Sequence, residues 1–162
     1  MTTQPTDASM AAWRSFLEAH AAVTRRLDEE LQAAAGLPLS WYDVLVQLQE
    51  AGGRRRMSDL ADAVLLTRSN CTRLVDRMER EGLVARHADA DDARSRWAVL
   101  TAAGSKRLAD AAPVHLDGIE RMFARFLTDA DTKRFSRGFG AMVDAMTNFD
   151  DRPGDGPGGR DD

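Results

Sequence analysis

Cysteine is nearly missing from this sequence: Cys71 stands alone in 162 residues. That excludes an internal disulfide framework, and no Cys/His group has the spacing of a zinc site. No apolar run approaches the ~18 residues needed to cross a bilayer. The opening MTTQPTDASMAAW lacks the basic-then-apolar layout of a secretory signal, so the expected location is the cytoplasm. Aromatic residues make up only 6% of the chain, and His20, His87 and His115 stand far apart. No nucleophile–base pair, glycine-rich phosphate loop or metal cluster is legible, so neither an enzyme nor a cofactor is expected. What the chain does have is 43% hydrophobic residues, enough to bury a core. Its length suits one compact domain.

An overall excess of positive charge is also absent, since the net charge is −4. The distribution reverses the impression this gives. Residues 52–109 hold 12 Lys/Arg against 8 Asp/Glu, and the remainder holds 10 against 18. A basic middle inside an acidic frame is the asymmetry that a localised polyanion-binding face produces.

Hydrophobic periodicity divides the chain into helices and a short β-prone stretch. Trp13, Phe16, Leu17, His20, Val23, Leu27, Leu31 and Ala34 form one apolar stripe on a helix from about Ser9 to Ala35, ended by Gly36 and Pro38. Ser40 reads as the N-cap of a second helix with Trp41, Val44, Leu45 and Leu48 inward. Gly52-Gly53 breaks it, and Arg54-Arg55-Arg56-Met57 leads to the next expected cap, Ser58. Two short helices follow, SDLADAVLL and SNCTRLVDRMEREG, joined by a polar turn at Thr67-Arg68. These are the ingredients of a helix-turn-helix. LVARH and RWAVLT then alternate as two strands around the polar tip ADADDARS, which completes a winged helix. A helix from Thr101 to about Leu127 is expected to kink or restart at Pro113. The last helix, Asp131 to Phe149, carries a seam of Phe135, Phe139, Met142, Met146 and Phe149. The Gly/Pro/Asp-rich residues 150–162 read as a disordered tail.

The second helix of the pair is the sharpest feature. With Cys71, Leu74, Val75 and Met78 inward, the outward positions are Ser69, Asn70, Thr72, Arg73, Arg77 and Arg80. Short polar residues at the tip and arginines along one line suit a recognition helix in a major groove. The wing adds Arg86, Arg94 and Arg96. Asp92, two residues before Arg94, can hold that arginine in one rotamer while its guanidinium reaches a narrow minor groove. The alternative reading is a winged-helix module that binds a protein. Such a face would expose Leu, Met or aromatic anchors, and the outward positions of this helix carry none.

The segments LSWYDVLVQL, MSDLADAVLLTRSNCTRLVDRMEREGLVAR and DDARSRWAVLTAAG resemble the MarR family of bacterial transcriptional regulators. The resemblance runs from Leu39 to Gly104. It implies a mainly α fold with a small β-hairpin wing: a winged helix-turn-helix flanked by N- and C-terminal dimerisation helices. It further implies a homodimer that binds a near-palindromic double-stranded operator, represses, and is released by a small aromatic effector. On this reading residues 9–149 form a single domain, with the winged core at about 39–104 and dimerisation helices at about 9–35 and 105–149. The DNA-binding set is Thr67, Arg68, Ser69, Asn70, Thr72, Arg73, Arg77, Arg94 and Arg96, with Asp92 orienting the wing. Ala93 stands where many relatives carry a further arginine. The resemblance places an effector cleft between the dimerisation helices and the winged core, with Trp13, His20, Trp41, Met57 and His115 as candidate lining. Cys71 lies on the inner face, where a buried thiol is inert.

Overall fold

The computed structural model describes residues 4–89 and 95–150, with the side chains of residues 147–150 left aside. Helix α1 (Asp7–Ala35) begins two residues earlier than its stripe suggests, because Thr6 caps it: the Thr6 hydroxyl accepts the Ser9 N–H at 3.1 Å. Gly36, at φ 58, ends it in the left-handed conformation. Helix α2 (Leu39–Glu50) starts at Leu39 without a side-chain cap of its own. The expected Ser40 cap is wrong: Asp28 Oδ1, from α1, accepts the Leu39 N–H at 2.7 Å.

The arginine triplet before the next helix is not a linker. It forms strand β1 (Arg54–Arg56), followed directly by α3 (Met57–Ala63) and α4 (Arg68–Arg80). Ser58 lies inside α3 and its hydroxyl donates to Asp59 at 2.8 Å, so it is not the cap expected there. Strands β2 (Val84–Ala88) and β3 (Arg96–Leu100) make the hairpin. The sheet is antiparallel and three-stranded in the order β1-β3-β2, with Arg56 opposite Trp97 and Trp97 opposite His87.

Helix α5 (Ala102–Met122) runs through Pro113 without the expected restart. It stops at Met122 rather than near Leu127, and a single 3-10 turn (Ala124–Phe126) follows. Helix α6 (Asp129–Asp150) then begins with a reciprocal cap. Thr128 Oγ1 accepts the Asp131 N–H, and Asp131 Oδ2 accepts the Thr128 N–H, each at 3.2 Å.

Two compact units result, residues 1–121 and 122–162. The core of the first is built from Leu31, Val44, Leu45, Leu48, Leu60, Val75 and Met78, all fully buried. The inward face of α4 matches its periodicity; on α2 Val44, Leu45 and Leu48 are buried as expected, but Trp41 is only half-buried and Tyr42 takes the inner place at 6% exposure. The long stripe of α1 does not: Leu27 and Leu31 are buried, whereas Trp13, Phe16 and Leu17 are 41–52% exposed. In the second unit Phe135, Met142, Val143 and Met146 of α6 are exposed. Among the described residues, no helix is long and apolar enough to cross a membrane.

Candidate nucleic-acid interface

Helix α4 is set up by its own first turn. Thr67 Oγ1 accepts the Asn70 N–H at 3.3 Å and lies 3.3 Å from the Ser69 hydroxyl. The Thr72 hydroxyl donates back to the Arg68 carbonyl at 2.8 Å. Arg73 is steadied rather than neutralised: its Nη2 donates to Asn70 Oδ1 at 3.1 Å and its Nε to the Ser69 carbonyl at 3.5 Å. Arg80 Nε likewise donates to a backbone carbonyl, that of Asp76, at 3.3 Å.

The acids of α4 go elsewhere. Arg86, on β2, reaches across to the helix and takes both of them. Its Nη1 lies 2.6 Å from Asp76 Oδ1 and its Nη2 2.8 Å from Glu79 Oε2. Its backbone N–H donates to Glu79 Oε1 at 2.9 Å, and its Nε to Glu79 Oε2 at 2.9 Å. Partial burial works to raise the Glu79 carboxyl, but the hydrogen bonds and charge of Arg86 outweigh it and hold Glu79 below the usual range. Arg86 is therefore committed to α4 and is not a free wing cation. Among the described residues, no carboxylate pairs with Arg68, Arg73, Arg77, Arg80 or Arg96.

Two grooves flank α4. One, of about 600 Å³, is lined by Arg73, Arg77, Arg80, Asn70, Leu66 and Ser40, among others. The other, of about 420 Å³, brings together Arg56, Arg68, Thr72, Arg86, Ser95 and Arg96. The helix thus presents cations on both flanks, and its exposed N-terminal turn adds the positive end of the helix dipole.

Strand β1 supplies residues that periodicity missed. Arg54 and Arg56 stack on Trp97, with their guanidinium carbons 5.0 and 5.4 Å from the ring centroid. Arg56 Nη2 also pairs at 2.9 Å with Asp89 Oδ2, whose side chain is only 7% exposed. Asp89 thus holds an arginine of the sheet, a pairing separate from the one expected of Asp92 and Arg94. Asp92 and Arg94 themselves lie outside the described residues, as do Ala93 and the tail 151–162. The sequence signal for Arg56 was present in the Arg-Arg-Arg run, whose alternation puts Arg54 and Arg56 on one face of a strand.

The candidate effector residues fall in separate surroundings. Trp13 stacks on Phe16 at 5.8 Å between centroids, and Phe16 meets His20 at 6.1 Å, all on the exposed side of α1. Trp41 and Met57 are half-buried at the edge of the core. His115 packs on Tyr42 at 4.3 Å, and burial holds its imidazole below the ordinary value. Cys71 is fully buried and burial pushes its thiol up, away from reactivity. Among the described residues, no group of three or more His, Cys, Asp or Glu could hold a metal ion.

Known proteins are similar to this chain in sequence and fold. The sequence profile of the MarR family matches residues 35–95. The HTH-type transcriptional regulator YkoM of Bacillus subtilis is 31% identical over 85 residues, which is 52% of this chain. The chain spans just 55% of the length of that relative. Two solved structures from Streptomyces coelicolor match far more completely. AbsC, a MarR family transcriptional regulator, is 33% identical with a TM-score of 0.83, over 91% of this chain and 99% of its own. Sco3205, a MarR family regulator solved in complex with DNA, is 32% identical with a TM-score of 0.84, over 90% of this chain and 91% of its own. A three-stranded wing, a capped helix whose arginines pair with no carboxylate among the described residues, and this likeness over nearly the whole chain agree: the chain belongs to the MarR family of transcriptional regulators.

Proposed function

We propose that the chain acts as a homodimer that binds a near-palindromic DNA operator in the cytoplasm, represses transcription, and lets go on binding a small aromatic ligand. The observation that carries DNA binding is the charge arrangement on α4. Arg86 removes Asp76 and Glu79 from play, so Arg73, Arg77 and Arg80 remain available to phosphates and base edges. Ser69 and Asn70 at the helix tip supply short hydrogen-bonding groups for the major groove. Arg94 with Asp92 serves the minor groove from the wing tip, and Thr67, Arg68, Thr72 and Arg96 flank the backbone. The DNA complex of Sco3205 supports the same use of this fold.

The uncovered apolar residues of α1 and α6 support the homodimer. A second copy related by a two-fold axis covers them, and residues 9–149 then work as one functional domain. The effector reading rests on the candidate lining residues, of which His115 packs on Tyr42 at 4.3 Å.

The test is selection of genomic duplex fragments with the purified full chain, followed by titration of the recovered duplex against salt. Each phosphate contact contributes about −0.9 to the log–log slope, so the affinity falls steeply between low and moderate salt. Arg73→Ala or Arg77→Ala weakens binding by roughly 1–3 kcal/mol where the side chain reads a base. A salt-insensitive affinity, or wild-type binding by both variants, contradicts the reading. Release of the bound duplex by salicylate, used as the probe, tests the effector.

A further inference from the structure

Among the described residues, the turn between α3 and α4 contains the one non-glycine residue with a positive φ: Leu65, at 55°. The turn closes helix α3 by a double hydrogen bond. Leu66 N–H donates to the Ala61 carbonyl at 2.9 Å, and Leu65 N–H to the Asp62 carbonyl at 3.2 Å. This pattern puts its central residue in the left-handed region, which glycine occupies freely and a leucine does not. Leu65 is also 91% exposed, more than any other large hydrophobic residue described. The fold therefore gains nothing from a leucine here. The backbone disfavours it and no core residue covers it.

Its neighbours indicate what does. Leu66, the next residue, lines the groove in which Arg73, Arg77 and Arg80 outnumber a single acid, Asp76. Thr67 caps α4, and Arg68 opens that helix onto the second basic groove. Leu65 lines neither groove itself, but it is an exposed apolar side chain one residue before the lining of the first and three before that of the second, on the turn that leads into α4. Charge selects a polyanion as the occupant of that surface. The apolar group that duplex DNA offers in the major groove is the C5 methyl of thymine.

We propose that Leu65 is a specificity-determining contact that packs on a thymine methyl at the edge of the half-site. This rests on the DNA-binding reading above. It adds base discrimination from a turn residue to the polar readout from α4. Burial of the side chain in the complex also gives the strained backbone a use, since the strain holds Leu65 pointing away from the core.

The experiment uses the full chain and a duplex that it selects from a randomised library. Wild type, Leu65→Ala and Leu65→Gly are titrated on that duplex, and on copies in which single thymines are replaced by deoxyuracil. Leu65→Ala is expected to weaken binding about tenfold, and one deoxyuracil to weaken wild type about fourfold, the effect of one buried methyl. That deoxyuracil leaves Leu65→Ala unaffected, because the partner is already gone. A melting temperature for Leu65→Gly equal to or above wild type shows that lost affinity is not lost folding. If both variants bind as wild type does, or every deoxyuracil acts equally on wild type and Leu65→Ala, the contact does not exist. DNA binding itself still stands in that case. Failure of the wild type to select any duplex is the separate result that overturns DNA binding.

Discussion

Arg86 Nη1 lies 2.6 Å from Asp76 Oδ1, a contact between strand β2 and the middle of helix α4. The same guanidinium also binds Glu79 at 2.8 Å, so one arginine neutralises two acids. Asp76 lines the same groove as Arg73, Arg77 and Arg80, and without Arg86 its carboxylate would compete for them. The contact therefore has a mechanical role, fixing strand to helix, and an electrostatic one, leaving the helix face basic.

Arg86→Ala separates these roles. The side chains are about one-third exposed, which discounts the ion pairs, so the expected loss is about 1–2 kcal/mol in denaturant unfolding. DNA affinity falls several-fold as the two acids are released. Adding Asp76→Asn and Glu79→Gln to Arg86→Ala restores affinity but not stability. Recovery of both together, or of neither, contradicts this account.

Gly104 decides how α5 docks on the wing. A Cβ there would overlap the Leu83 carbonyl oxygen and lie 2.9 Å from a Leu100 methyl. The first of these neighbours is backbone and cannot rotate aside. Beside it, the Thr101 hydroxyl donates to the Gly82 carbonyl at 2.7 Å and accepts the Gly104 N–H at 3.0 Å. Gly104→Ala is expected to destabilise by about 3 kcal/mol and Thr101→Val by about 1–2 kcal/mol, read from urea midpoints. A neutral Gly104→Ala would mean that the helix and strand are not held this closely.

His115 predicts an acid limb in the stability profile. Its Nδ1 is buried and, among the described residues, has no hydrogen-bond partner. Burial lowers its folded-state value, while the unfolded chain titrates near the ordinary imidazole value of about 6.5. The unfolded state therefore binds the proton first as pH falls, and stability declines below about pH 6.5. Glu79 and Asp131 are lowered too, but their stabilisation is lost only as pH falls through their depressed carboxylate range. His115→Phe keeps the ring on Tyr42 and should flatten the profile between pH 7 and 5, roughly the imidazole window. An unchanged slope in thermal melts across that window would count against a neutral, buried His115.

Assembly is tested on α6. Phe135 and Phe139 pack at 5.3 Å between centroids, and Phe135 and Met142 remain 42% and 61% exposed. Replacing Phe135 and Met142 together by serine should shift sedimentation from dimer to monomer and abolish high-affinity operator binding. A wild-type chain that sediments as a folded monomer at micromolar concentration removes the dimer outright.

Much of the winged core was legible in the sequence, because a helix period is a local property. Cys71, Leu74, Val75 and Met78 point inward on α4 as their spacing requires, and Gly82 takes positive φ just past its end. The order helix, helix, turn, helix, hairpin was likewise readable, and with it the family resemblance. What local pattern could not supply is any partner distant in the chain. The first N–H of α2 is taken by Asp28, 11 residues earlier, which makes a Ser40 cap unnecessary. The end of α1 is held by Arg107, 71 residues away, through the Gly36 carbonyl at 3.0 Å. Arg54–Arg56 reads as a polar linker until β3 arrives to pair with it. Composition alone determined that the middle of the chain is basic. Which arginines stay free was decided only by folding, because a salt bridge depends on side chains a few ångströms apart in space, and sequence distance does not encode that separation.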